Sequence, residues 1–569
     1  MTEKFVADEE QQCLMSEGPE GDPNECLNPR SMILDSERGL SVRGCALIVV
    51  GLILICLVSA TIAYLSGISA YTFTDLRVPC GSIRGLHTSM GYSFLGVPYA
   101  QYPARWTAPQ YPVSWNDTYF ATKQGPACPQ LARPKTSEKC LFINVWSPTM
   151  SRDALLPVVV WFHGGSLMVG SGADPGARPW DSLAFETQTV YVSFNYRLGI
   201  FGFLALKELS EKSETGTSGN YGFLDQIAAL KWVRDNIEHF GGDPKRVTLF
   251  GHEAGAISIS ALMLSPLAEG LFSAAIFTGS SFPAFTNLKE AEKQQASIFQ
   301  NTSCDDLDCL QRLSTEKLLK AAPFGDLQEK YVGAAAKLMI PMDEKPMFLA
   351  VWDNFVLSSK TANVSIADIP IFIGNVEQDL GMRNQYHNLD TWTIEDLKKK
   401  VAEEMKDKRT EVIAQILRMY GASDMNANPG KVFATMVSDV RTSCPSNAFA
   451  TTALKKHKSP VYRYVATQNW ASQLRENTLV PLQSKYAFHM MDVLAAFNTM
   501  SFVTDYVHPS DMWFGRKLRE YLHHFISEGH LSKDVPTFPK ATLLLSDNFE
   551  VAEAYNYARC NFWKEHGFF

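Results

Sequence analysis

The chain alternates short uninterrupted apolar runs with stretches in which apolar residues recur every three to four positions. LPVVVWFHGG (Leu156 to Gly165) is apolar throughout and stops at glycines, which predicts a strand buried on both faces. TVYVSFNYR (Thr189 to Arg197), RVTLFG (Arg246 to Gly251), SAAIFTGSS (Ser273 to Ser281) and IPIFIGN (Ile369 to Asn375) read the same way. Between them, LDQIAALKWVRDNI (Leu224 to Ile237) and AISISALMLS (Ala256 to Ser265) have helical spacing, and the second half adds helices over Ile394 to Tyr420 and Asp511 to Glu528. Strands that are apolar on every residue, separated by helices, imply a large, mostly parallel sheet covered on both faces. The fold class is α/β.

One run has a different character. From Gly44 to Leu65, 22 residues carry no charge, and about 20 suffice for a helix to cross a bilayer. A cleaved signal peptide is the competing reading; it fits less well because a long acidic stretch precedes the run. The expected organisation is a disordered cytoplasmic tail (1–43), a transmembrane signal-anchor (44–66) and one extracellular domain (67–569). Residues 1–43 carry ten acidic and four basic side chains, so this segment holds −6 of the formal net charge of −8. Arg38 and Arg43 just before the run weakly favour a cytoplasmic N-terminus. Three sequons follow it, at Asn116, Asn301 and Asn363, and suit a lumenal or extracellular domain. A single-pass type II cell-membrane protein is therefore expected.

Of eleven cysteines, seven follow the apolar run: Cys80, Cys128, Cys140, Cys304, Cys309, Cys444 and Cys560. Six of them can form three bridges in an oxidising compartment. Spacing makes Cys128/Cys140 and Cys304/Cys309 plausible local loops but does not assign the pairs, and Cys80 is left either as a buried thiol or as a link to another chain. No Cys/His cluster has metal-ligand spacing, and no basic patch points to nucleic acid. Neither a metal nor a cofactor is expected.

The chemistry centres on Gly251-His252-Glu253-Ala254-Gly255, set between a predicted strand and a predicted helix. That is the context of the nucleophile elbow, G-x-S-x-G, whose sharp turn exposes its central side chain above the sheet. Here the central residue is an acid.

The run GNYGFLDQIAALKWVRDNIEHFGGDPKRVTLFGHEAG (Gly219 to Gly255) resembles the carboxylesterase/cholinesterase family almost residue for residue. So do FLGVPYA (Phe94 to Ala100), SEKCLFINVWSP (Ser137 to Pro148), WFHGGS (Trp161 to Ser166) and NYRLGIFGFL (Asn195 to Leu204). The resemblance implies the α/β-hydrolase fold. It also implies the pairs Cys128–Cys140, Cys304–Cys309 and Cys444–Cys560, and buried ion pairs Arg105–Glu138 and Arg197–Asp225. The family's nucleophile falls on Glu253. Its histidine falls on His489, in HMMD where the family usually has H-G-x-E, and its acid falls on Asp379, usually a glutamate. The oxyanion-hole amides fall on Gly165, Ser166 and Ala254.

A carboxylate has no hydroxyl proton to give and is a poor attacker of esters, so no active triad is expected. Glu253 is expected to pair with His489 and plug the site. In lacking the serine the chain resembles the neuroligins, neurotactin and gliotactin, members that serve in cell adhesion or as surface receptors. A cell-surface or extracellular protein partner follows as an expectation, with a homodimer as a weaker one. The rival is enzymatic. Haloalkane dehalogenases and epoxide hydrolases place a carboxylate on this elbow, so Glu253 would attack a halide or epoxide and His489 would activate water. Residual ester hydrolysis through Ser166 is a further alternative. Cholinesterase activity in particular is disfavoured, because PQLARPKTSEK, between Cys128 and Cys140, has no aromatic residue to stack on a quaternary ammonium.

Overall fold

The computed structural model describes residues 51–55, 57–59, 71–131, 133–280, 285–323, 349–358, 367–379, 389–405, 410–475 and 486–568. The expected tail and the Asn363 sequon lie outside these residues. Of the apolar run, residues 51–55 and 57–59 are described and helical. Among the described residues no helix is long and apolar enough to cross a membrane. The chain divides into two compact units, residues 1–70 and 71–569, and the following concerns the second.

Its strands are β1 (Thr72–Val78), β2 (Gly81–Thr88), β3 (Gly91–Pro98), β4 (Tyr119–Phe120), β5 (Phe142–Ser147), β6 (Leu156–Phe162), β7 (Val190–Phe194), β8 (Gly242–His252) and β9 (Ala274–Thr278). They continue with β10 (Thr286–Asn287), β11 (Val351–Trp352), β12 (Ile371–Val376), β13 (Val461–Ala466), β14 (Thr542–Leu545) and β15 (Glu550–Ala552). Thirteen of them form one sheet, ordered β1-β2-β3-β5-β7-β6-β8-β9-β12-β13-β14-β15 with β4 beside β2. From β7 to β14 all neighbours are parallel; on both flanks the strands of this order pair antiparallel, and β4 lies parallel to β2. This is the α/β-hydrolase architecture, and the apolar runs read from the sequence are its central strands.

Because successive strand residues face opposite ways, each central strand serves two cores. Val158, Val160 and Phe162 of β6 join one apolar cluster with Ile227, Leu230 and Val233 of the helix Tyr221–Asn236. Val159 and Trp161 join the other, with Phe514, Leu518, Leu522 and Phe525 of the helix Pro509–Glu528. The expected single helix Ile394 to Tyr420 is instead two, Ile394–Glu404 and Thr410–Met419. The first begins on a capping box between Thr393 and Asp396, and the backbone leaves helical geometry at Met405.

Three disulfides are present, Cys128–Cys140, Cys304–Cys309 and Cys444–Cys560. Cys80 is free and buried, so of its two alternatives the structure has the buried thiol. Asn116 and Asn301 are exposed; the Asn301 amide nitrogen donates to the Ala321 carbonyl at 3.0 Å. Arg105 holds Glu138 through two bonds of 2.6 and 2.8 Å, but this pair is only partly buried. Arg197 and Asp225 are fully enclosed, joined at 2.7 Å by both Nε and Nη2. Removing one partner strands the other charge away from water, at a cost of about 3–5 kcal/mol. Asp225→Asn is therefore expected to shift the urea unfolding midpoint sharply downward, and Glu138→Gln much less.

Candidate functional site

The central residue of the elbow sits where strand β8 gives way to the helix Ala254–Leu262. Glu253 has φ 52° and ψ −112°, a conformation that residues with a Cβ rarely adopt. Its flanking glycines are required by contact. A Cβ on Gly251 would lie 2.5 Å from the Gly255 backbone, and one on Gly255 would lie 2.0 Å from the Phe162 carbonyl oxygen. Strand, turn and helix can approach this closely only without those side chains.

The loop after β6 meets the elbow with an unusual backbone. Gly165, Ser166 and Leu167 all have positive φ, at 105°, 55° and 59°. The turn aims amides inward, and they reach Glu253. Oε2 accepts from the Gly165 amide at 2.5 Å and from the Ser166 amide at 3.0 Å, while the Ser166 hydroxyl donates to Oε1 at 2.9 Å. Ala254, the third expected contributor, is buried at the start of the helix. Glu253 thus fills the pocket that these amides form. Burial pushes its carboxyl pKa up, but His489 and the two amides outweigh this and hold it below the ordinary glutamate value.

His489 lies between β13 and the helix Met491–Ala496, and Asp379 follows β12. Asp379 Oδ1 is 2.6 Å from His489 Nδ1, so the acid–histidine pair is assembled as the resemblance implied. The expected partner of the other ring nitrogen is not Glu253. His489 Nε2 faces His252 Nε2 at 3.0 Å, and the two rings are tilted by 49° with centroids 4.5 Å apart. His252, the last residue of β8, points toward β9, whereas the turn at Glu253 swings the next side chain toward the β6 loop. His252 therefore occupies the Nε2 side of His489, the side through which a triad histidine would reach its nucleophile.

The network continues away from the elbow. His252 Nδ1 lies 3.4 Å from Thr278 Oγ1, which donates to Asp492 Oδ2 at 2.5 Å. The Tyr464 hydroxyl donates to the same oxygen at 2.9 Å. His252, Thr278, Asp492 and Tyr464 were not among the residues singled out from the sequence. Two signals were available: His252 sits inside the elbow motif, and Asp492 stands three residues after His489, at the acidic position of H-G-x-E. The glycine position of that motif holds Met490, which keeps a left-handed backbone with φ 73°.

Two nitrogens facing each other at this distance need one proton between them. Burial lowers the His489 pKa, but the Asp379 carboxylate, its hydrogen bond and then Glu253 overcome this and raise it from 6.5 to about 8. Burial and the neighbouring His489 charge hold His252 well below its ordinary value. His489 is then the cation, donating to Asp379 and to neutral His252. Chemically the cluster is closed: the oxyanion pocket holds an anion, and both ring N–H groups of His489 are engaged in hydrogen bonds.

Folding raises the His489 pKa, so its stabilisation is fully present below about pH 6.5 and is lost as pH rises through about 8. A shift of that size corresponds to about 2 kcal/mol. Relative to His489→Gln, the unmodified chain should lose about 2 kcal/mol of its advantage between pH 6 and pH 9, read by urea unfolding at each pH.

A profile of the carboxylesterase family matches residues 73–563. Para-nitrobenzyl esterase of Bacillus subtilis (strain 168) is 40% identical over 265 residues, which cover 44% of this chain and 53% of that protein. Neurotactin of Drosophila melanogaster is 35% identical over 298 residues, 49% of this chain and 35% of that one. The chain thus spans about half the length of the first of these relatives and about a third of the second. A carboxylic ester hydrolase of Bombus ignitus is 26% identical over 539 residues, 86% and 93% of the two chains. A solved PNB esterase structure superposes with a TM-score of 0.67 at 27% identity, covering 88% of this chain and all of that one. With the sheet, the elbow and the acid–histidine pair in place, the match over residues 73–563 makes this chain a member of the carboxylesterase family.

Proposed function

We propose that this is a non-catalytic carboxylesterase-like protein, anchored in the cell membrane by residues 44–66 with its domain outside, that acts in adhesion or receptor-type recognition of another protein. The tail is residues 1–43 and the recognition domain residues 67–569. One observation carries the reading: the Glu253 carboxylate accepts from both the Gly165 and Ser166 amides. Acyl transfer depends on those donors being free to receive the oxyanion that develops on the substrate, and here a resident anion competes for them. The missing hydroxyl removes the nucleophile, and the filled pocket removes the electrostatic help.

The carboxylate-nucleophile reading is weaker on the same geometry. Attack on an epoxide or halide needs a carboxylate oxygen directed at the substrate, yet the Glu253 oxygens accept from Gly165 and Ser166. Release of an alkyl-enzyme ester needs a histidine with a free nitrogen for water, yet His489 Nε2 meets His252. The Ser166 hydroxyl donates to Glu253, and among the described residues no histidine accepts from it. Localisation rests on the apolar run Gly44 to Leu65, 22 residues without a charge, and the sequons that follow it. A recognition role is supported by the likeness to family members that lack the serine.

The full chain, assayed with p-nitrophenyl esters and with a fluorophosphonate label, should give no turnover above that of His489→Ala and no labelling. Turnover that is abolished by Glu253→Gln would overturn the proposal. Glu253→Ser alone should remain close to inactive, because His252 still holds His489 Nε2. Glu253→Ser combined with His252→Ala should be at least ~10-fold faster than Glu253→Ser, as the freed histidine becomes a base for the new hydroxyl.

A further inference from the structure

The first edge of the sheet carries an apolar surface that the elbow and its network do not use. In β1 the side chains alternate, with Leu76 and Val78 turned into the core and Phe73 and Asp75 outward. Register carries this outer face across the edge. Phe73 lies opposite Leu86 of β2, Asp75 opposite Arg84, and Arg84 in turn opposite Phe120 of β4. Arg84 bridges Asp75 at 2.6 Å and lies 5.6 Å over the Phe120 ring, and Tyr71 meets Phe73 edge-on at 6.0 Å. Phe73 is 61% exposed, Phe120 63% and Tyr71 50%. Three aromatic rings with Arg77 and Arg84 among them thus form one outward face.

The chain itself restricts what can cover this face. The apolar run Gly44 to Leu65 gives way to Ser66-Gly67, and Leu65 stands six residues before Tyr71. Six residues span at most about 22 Å fully extended. The headgroup layer on one side of a bilayer takes up roughly 5–8 Å of that distance. What remains is narrower than a small folded domain, roughly 30 Å across, so no partner domain fits between the bilayer and the start of β1. Amphipathic aromatic rings and arginines are the side chains that settle at a membrane–water interface.

We infer that the outer face of β1, β2 and β4, with Tyr71, Phe73 and Phe120, rests on the headgroups of the outer leaflet and fixes the domain's orientation on the membrane. This rests on the anchoring reading above. Arg77 and Arg84 then lie at phosphate level, and the rings enter the interface between them.

The test is hydroxyl-radical footprinting of the full chain in phosphatidylcholine nanodiscs, before and after release of the already folded domain through a protease site inserted after Ser66. Oxidation of Tyr71, Phe73 and Phe120 should rise severalfold on release, while that of the exposed Phe185 and Tyr506 stays constant. In Phe73→Asp/Phe120→Asp, whose changes are at exposed positions, Tyr71 should oxidise equally before and after release. No rise in the unmodified chain overturns the inference. A rise seen with two chains per disc but not with one also overturns it, in favour of a second copy covering the face. If the chain does not enter the discs at all, the anchoring reading itself fails, and this result is separate from the footprint.

Discussion

A buried carboxylate needs hydrogen-bond donors and a compensating charge, and in this domain both come from parts arranged for a different anion. The Gly165 and Ser166 amides hold Glu253, and His489, braced by Asp379, supplies the positive charge. Without those amides the elbow would carry a desolvated acid, costing several kcal/mol or forcing its protonation. The positive φ of Gly165, Ser166 and Leu167 matters for the same reason, since it turns two consecutive amides toward a single oxygen.

The pieces come from distant parts of the chain and meet because of the sheet. β6, β8, β12 and β13 are parallel, so the segments leaving them gather at one end. The β6 loop brings the amides, the β8 turn brings His252 and Glu253, β12 leads to Asp379, and the segment after β13 leads to His489. The sheet carries these loops whether or not a nucleophile is present. Fold membership and catalytic competence are thus separate properties.

Much of this was legible from sequence, for identifiable reasons. The strands showed because residues buried on both faces leave an uninterrupted apolar run. The elbow showed because Gly251 and Gly255 are demanded by contacts as short as 2.0 Å and so leave a fixed spacing. Glu253 was visible as an acid in place of an alcohol, and its approach to the oxyanion amides followed from that. What did not follow was the partner of His489. His252 and Glu253 are adjacent, and sequence does not say which one turns to the histidine; the left-handed backbone at Glu253 decides it. The extension through Thr278 to Asp492 joins residues 214 apart, and nothing local announces such a contact. The six cysteines likewise left pairing open by spacing, and the resemblance supplied it.

The strained backbone at Glu253 has one more consequence. Such a conformation costs on the order of 1–3 kcal/mol, and at an elbow it is commonly taken as a mark of stored catalytic tension. Here the same torsions hold a side chain without a hydroxyl, pinned by the close junction of Gly251, Gly255 and Phe162. The distortion belongs to the joinery of the scaffold, and backbone tension at an elbow does not by itself report the chemistry of the side chain it carries.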